Sequence, residues 1–370
     1  MSPRLRRLRA LVRKEAVQIV RDPSSLLIAV AMPLILLFLF GFGLSLDANT
    51  VRIGLVVERP GAAAERLAAA FEASRYFEVT RVADRRAVAD DLLAERLRGL
   101  VVIPAEFGQR WAQDADRARI QVIADGSEPN TARFVHNYSR GVYRTWRAQE
   151  LGTAPPPVEL EPRFWFNPEL RSRNFLVPGS IGVIMTLIGT LLTALVVARE
   201  WERGTMEALF ATPIGTVDLL LGKLIPYYVL AMASMAICTL LAVFLFQVPL
   251  RGSIFALALV STVFLVPALG QGLLISAAAK NQFVASQFAL LSAFLPAFLL
   301  SGFVFEIESM PVVIQYVTYA IPARYLIPSL QTIFLAGDVW PLLWRNMAAM
   351  LAIGAVFLGL ALTLTRKRLD

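Results

Sequence analysis

The amino-acid sequence predicts an α-helical integral membrane protein with six transmembrane helices and an α/β domain inserted between the first and second. Three observations lead there. The 370-residue chain is 56% hydrophobic and only 17% charged, whereas soluble domains average about 45–50% apolar and about 25% charged residues. Six apolar runs each supply the about 20 residues that a helix needs to cross a hydrocarbon core of about 30 Å. One stretch, 47–174, breaks the pattern with dense, nearly balanced charge and short apolar periods.

Residues 1–23 read as an amphipathic helix at the cytoplasmic interface. Leu5, Leu8, Val12, Ala16 and Ile19 recur at helical spacing, and arginines fill the other face. Asp22-Pro23 stops it. Such a helix lies in the membrane interface; it serves as an anchor, as a docking surface for a cytosolic partner, or as both. Residues 24–46 form the first span. Its apolar run, 26–46, is too long for a signal-peptide core, so no cleavable signal is expected.

In the insert, 51–57 is strand-like, 62–73 helical, and 77–82 alternates as a strand. Residues 85–97 form an amphipathic helix, 100–103 a buried strand ended by Pro104, 105–113 a short helix, 120–123 a strand and 130–150 a longer helix. Strands alternating with helices predict a small α/β domain with a partly parallel sheet. It shows no nucleophile elbow and no glycine-rich dinucleotide fingerprint. The lone His136 has no second His or Cys to make a metal site. Cys238, the single cysteine, lies in an apolar run and reads as a packed thiol. This domain reads as a non-catalytic lid or docking module.

Spans two to six occupy 175–370, with apolar runs at 175–198, 224–248, 254–279, 283–305 and 343–364. Pro33, Pro226, Pro267 and Pro296 fall inside spans, where neighbours must satisfy the freed carbonyls. The basic N-terminal segment, Lys280, and Arg366, Lys367 and Arg368 place both termini and the loop between spans four and five in the cytoplasm. The net charge of +8 therefore sets topology and attracts anionic lipid; no aromatic-basic surface points to nucleic acid.

Span two continues into a charged hook, 199–213. Glu200, Arg203 and Glu207 fall at helical three- and four-residue steps, so they could pair along one face. Gly204 permits a turn, after which Thr205 could cap a short second helix. The hook is either a solvated loop or a lever that receives force. Residues 306–340 are apolar but interrupted, which predicts two short external re-entrant helices, about 310–320 and 323–336. Glu306, Glu308 and Arg324 then lie at the outer mouth. Thr186, Thr190 and Thr193 share one face of span two; with Gln271, Ser276 and Gln287 they either line a polar path or glue helices together. Gly215 to Lys223 superficially suggests a phosphate-binding loop, but six residues separate its glycines and Leu224 replaces the required hydroxyl residue. No ATP site is expected on this chain.

Several stretches, in order and spacing, carry a family resemblance. They are Arg13-Lys14-Glu15 with Asp22-Pro23, Asp125-Gly126-Ser127 with Pro129-Asn130, Phe166-Asn167-Pro168-Glu169, and Asn174-Phe175-Leu176-Val177-Pro178-Gly179. The most specific is Arg199-Glu200-Trp201-Glu202-Arg203-Gly204-Thr205-Met206-Glu207, followed by Thr212-Pro213 and Gly222-Lys223. Ser301-Gly302-Phe303, Met310-Pro311 and Ile321-Pro322-Ala323-Arg324-Tyr325 complete the set. On these residues the chain resembles the ABC-2 type permeases of bacterial multidrug exporters over nearly its whole length. Glu306 departs from the family, where proline is more usual.

The resemblance implies a permease subunit in the inner membrane that pairs with a second, identical or homologous permease. Separate ATPase subunits would carry ATP and magnesium, and this chain would bind no cofactor. Arg13, Lys14, Glu15, Glu200, Trp201, Glu202, Arg203, Gly204 and Glu207 would couple to those ATPases. The insert would lie in the periplasm and could meet an adaptor. Drugs or other amphipathic molecules would leave by alternating access. Two other classes stay open: a permease for polysaccharide or lipid export, from which the large insert argues away, and a non-transporting membrane scaffold or sensor.

Overall fold

A computed structural model describes residues 3–43, 50–82, 91, 96–124, 129–152, 166–167, 171–206 and 215–365. The chain divides into two compact units, Leu46–Arg163 and the combination of Met1–Ser45 with Phe164–Asp370.

The larger unit begins with α1 (Pro3–Val20). Six helices among the described residues are long and apolar enough to cross a membrane: α2 (Pro23–Gly43), α6 (Ser172–Glu202), α7 (Thr216–Leu245), α8 (Ile254–Ala279), α9 (Gln282–Leu300) and α12 (Trp340–Leu364). Between α9 and α12 lie two short helices, α10 (Val312–Thr318) and α11 (Ala323–Leu335), close to the predicted re-entrant pair. Helix α6 is the central post. In its most apolar stretch 94% of residues are buried, against 22% in α2, α9 and α12. A helix that is apolar all round belongs inside a bundle or a bilayer; here α8, α9 and α11 cover α6.

Proline shapes two spans in the same way. Pro33 and Pro296 lack an amide hydrogen, so the carbonyls of Ala29 and Ser292, four residues back, lose their usual donors. Each proline follows a π-helical turn, Leu27–Ala31 in α2 and Leu290–Phe294 in α9. A neighbouring helix supplies the missing donor each time. Ser234 Oγ donates to Ala29 O at 2.5 Å, and Gln271 Nε2 donates to Ser292 O at 3.0 Å.

The smaller unit contains β1 (Val51–Val57), α3 (Ala62–Glu72), β2 (Phe77–Arg81), β3 (Gly99–Ile103), α4 (Phe107–Gln113), β4 (Gln121–Ala124) and α5 (Pro129–Glu150). The sheet order is β2-β1-β3-β4; β1 runs parallel to β2 and β3, and β4 is antiparallel to β3. The partly parallel sheet expected from the alternation of elements is present. Ile53, Leu55, Val101 and Ile103 meet Leu67 and Phe71 of α3 and Trp146 of α5 in one core. The helix expected at 85–97 falls largely outside the described residues.

Candidate functional site

Helix α1 tests the amphipathic reading directly. Its buried face carries Leu11, Glu15 and Ile19, while Leu5 is 51% exposed and Ala16 is also exposed. Of the expected stripe Leu5, Leu8, Val12, Ala16 and Ile19, only Ile19 is buried and Leu8 and Val12 are partly so; the face is turned for two reasons, both on α7. Gly222 leaves a notch for Leu11: a Cβ there would lie 2.3 Å from Leu11 Cδ2. One step further, Lys223 draws in Glu15.

Lys223 is the centre of the site. Its Nζ lies 2.9 Å from Glu15 Oε1 and 2.8 Å from Glu200 Oε1. Lys14 Nζ reaches the same two oxygens at 3.1 and 3.0 Å. Two carboxylates and two ammoniums thus form a neutral square. Lys223 and Glu15 are each 1% exposed and Glu200 5%; Lys14 covers the solvent side. Leu11, Val197, Met206, Leu219 and Leu220 surround the group with apolar packing. An ammonium is a compact charge with three donors, so one lysine can serve two carboxylates. For Lys14, burial opposes the charge, but Glu15 and Glu200 outweigh it and hold its pKa above the ordinary value.

Around this square the end of α6 is tied to two other segments. Arg199 Nη1 pairs with Asp22 Oδ2 at 2.7 Å. Asp22 also caps α2, accepting from Ser24 N at 3.2 Å and Ser25 Oγ at 2.7 Å. Burial alone would raise the Asp22 carboxyl; Ser25 and Arg199 overcome it and hold its pKa below the usual range. Glu202 accepts from the backbone N of Gln282 at 2.8 Å and from its side-chain amide at 2.5 Å. Lys280 Nζ sits 4.5 Å from the centre of the Trp201 ring, within cation–π range.

Glu200 turns to the lysines and to the Thr205 hydroxyl, not along its own helix to Arg203. The Thr205 hydroxyl thus folds back on α6, and the short helix expected after it lies largely outside the described residues. Gly204, at φ +67°, makes the turn, and Met206 beyond it is fully buried. Arg13 and Arg203 stay exposed. Glu207 lies outside the described residues. In the sequence Lys223 belonged to a rejected phosphate-loop reading and to the Gly222-Lys223 stretch of the family resemblance, with no role of its own. It stands inside helix α7, whose backbone amides are spent on helical bonds. The overlooked signal was compositional: the chain has just four lysines, and Lys14, Lys223 and Lys280 all act at this junction.

The other predicted residues fall elsewhere. Thr186, Thr190 and Thr193 are buried within the subunit's own packing. Thr186 and Thr193 donate to the Gly182 and Gly189 carbonyls at 2.9 and 2.8 Å. Ser276 Oγ accepts from the Val197 and Ala198 amides, both at 2.9 Å, joining α8 to α6. Gln271 serves the carbonyl freed by Pro296, and Gln287 is exposed. Glu306 and Glu308 are exposed at a 3₁₀ turn, Ile307–Ser309. Arg324 turns away from them. It donates to Gln315 O at 3.1 Å and to Thr318 Oγ1 and covers the Tyr319 ring at 3.7 Å, fastening α10 to α11.

Comparison with known proteins agrees with this architecture. A family profile described as "ABC-2 family transporter protein" matches residues 23–363. The "probable multidrug ABC transporter permease YbhS" of Escherichia coli K12 is 49% identical over 369 residues, covering 99% of this chain and 98% of that protein. The "probable multidrug ABC transporter permease YbhR" of the same strain is 29% identical over 368 residues, covering 98% and 99%. The "inner membrane transport permease YhhJ" is 27% identical over 284 residues, 74% of each chain. The chain is therefore a multi-pass membrane protein that belongs to the ABC-2 family of transporters.

Proposed function

We propose that this chain is the permease subunit of an ABC exporter of drugs or other amphipathic small molecules, powered by ATPase subunits on separate chains that hold ATP and magnesium. The observation that carries the reading is the lysine–carboxylate square. It joins α1, the end of α6 and the start of α7 through buried charges. A force applied to α1 or to the hook therefore moves three helices together. The coupling residues divide into two sets. Glu15, Glu200 and Lys223, shielded by Lys14, make the block rigid; Arg13, Arg203 and Glu207 are its contact residues toward the ATPase.

On this reading the block lies at the cytoplasmic face of the inner membrane, with both termini on that side and the α/β unit in the periplasm, where an adaptor could meet it. A second permease subunit completes the path, and alternating access arises as the two subunits rock. Gln271 and Gln287 remain candidates to face that path; the buried Thr186, Thr190, Thr193 and Ser276 serve chiefly as helix-packing contacts. The names of the YbhS and YbhR relatives support a multidrug cargo.

The test is transport by the complex purified with its ATPase and reconstituted in vesicles. Arg203→Glu is expected to abolish drug transport and substrate-stimulated ATP hydrolysis at unchanged assembly. Glu202→Ala, which only releases Gln282, is expected to weaken both. Unchanged transport and ATPase activity in both variants would sink the coupling role, and failure of any ATPase to co-purify would sink the exporter reading.

A further inference from the structure

Among the described residues, the α/β unit pairs many of its charges on its surface. Arg66 meets Glu150, Arg81 meets Glu65 and Glu72, Arg110 meets Glu106, Arg117 meets Asp114 and Arg147 meets Asp116. One side is different. Arg133, His136, Arg140, Arg144 and Arg147 follow one another on α5 at steps of three and four, so they share a face of the helix. Among the described residues, only Arg147 of these five has an ion-pair partner.

A cavity of about 290 Å³ opens on this side, between α5 and the strand that ends the sheet. Its size is close to the lower limit of small-molecule sites, about 300 Å³. Arg119, His136 and Arg140 bring positive or hydrogen-bonding groups to it, and Ile120 and Val122 bring apolar wall. Arg119 and Arg140 are exposed and have no ion-pair partner among the described residues. Ser139 also lines the cavity. It is 0% exposed, and its Oγ has no hydrogen-bond partner. A buried hydroxyl without a partner costs stability, and helical serines commonly turn back to the carbonyl four residues earlier. Ser139 Oγ makes no such bond, so its hydroxyl is left to a ligand. Tyr143 does not compete for that ligand, because its hydroxyl already donates to Ala118 O at 2.9 Å.

We infer that this cavity binds a small amphipathic anion. One phosphate, sulfate or carboxylate group sits between Arg119 and Arg140 and accepts from Ser139, and a short apolar body lies on Ile120 and Val122. Charge-assisted bonds from two guanidiniums supply the attraction, and the apolar wall discriminates against a bare ion. The inference stands apart from the transport reading, because it uses only residues of the α/β unit.

The experiment is calorimetric titration of the full chain in phosphatidylcholine nanodiscs with three probes: phenyl phosphate, inorganic phosphate and phenol. Phenyl phosphate is expected to bind saturably at one site. Arg119→Ala with Arg140→Ala is expected to weaken it about tenfold or more, the scale of lost charge-assisted bonds. Ile120→Trp, which fills the cavity and keeps the charges, should weaken it comparably. Inorganic phosphate should bind more weakly than phenyl phosphate, and phenol should not bind. Circular dichroism of each variant checks the fold. Absent saturable binding of phenyl phosphate overturns the proposal. So does equal binding in the double variant, or binding of inorganic phosphate as tight as that of phenyl phosphate. Saturable binding of a polyglutamate peptide with none of phenyl phosphate would also overturn it and make the basic face a protein-docking surface.

Discussion

The junction at the end of α6 and the surface of the α/β unit use the same ion-pair chemistry to opposite effect. In the α/β unit, Arg66 and Glu150 lie 2.7 Å apart with the arginine side chain 52% exposed. At the junction, Lys223 and Glu15 lie 2.9 Å apart with side chains 1% and 2% exposed. Geometry is nearly equal and burial is not. A solvated pair exchanges water for a partner with little net gain, whereas a buried charge that loses its partner has nothing to replace it. Distance therefore says little about which pair the fold depends on; what surrounds the pair decides it.

The sharpest way to break this contrast is Lys223→Met, which strands Glu15 and Glu200 without their central partner. It is expected to cost about 3–5 kcal/mol, seen as a large drop in the thermal midpoint of the purified protein. Adding Glu15→Leu leaves Lys14 and Glu200 as a pair and should recover much of that loss. A single variant as stable as the parent would show that the square carries no structural load. Next comes Gly222→Leu, whose side chain would occupy the place of Leu11. Overpacking of this kind costs about 1–3 kcal/mol, and limited trypsin digestion should cut the arginine-rich α1 sooner.

Gln271→Ala leaves the Ser292 carbonyl without its outside donor and is expected to cost about 0.6–1.7 kcal/mol, the range of hydrogen bonds between membrane helices. Chemical denaturation in mild detergent reads it. In the α/β unit, Arg66→Ala should change stability by at most about 1 kcal/mol. A loss as large as that of Lys223→Met would erase the contrast. The smallest effect concerns pH. The Asp22 carboxyl is held below its ordinary pKa of 3.8, so its contribution is fully present above that value and is lost as pH falls through the lower folded value. Asp22→Asn should therefore reduce the dependence of stability on pH below about 4 and leave the response between about pH 6 and 8 unchanged.

Much of the architecture was legible along the chain. Spans announce themselves because a crossing helix needs a long apolar run, and strand β1 because Val51–Val57 is a short β-branched one. The buried face of α1 was not legible. Apolar spacing favoured Leu5, Leu8, Val12, Ala16 and Ile19, of which Ile19 is buried, but a notch at Gly222 and a charge at Lys223, both more than 200 residues away, turned Leu11 and Glu15 inward. Nor did spacing choose between path and packing for the span-two threonines: the structure buries Thr186 and Thr193 and closes their hydroxyls on their own helix.

Local composition and period by themselves determined that this is a six-span helical protein with an α/β insertion, since hydropathy, helix length and strand alternation are properties of neighbouring residues. Tertiary structure alone decided which polar groups meet. Lys223 became the hub of a buried square, Gln271 the donor for a carbonyl freed by Pro296, and Arg119 and Arg140 the two sides of one cavity. Each of these joins residues distant in sequence, and the energy of a polar group depends on its partner and its exposure, neither of which is set by its immediate neighbours in the chain.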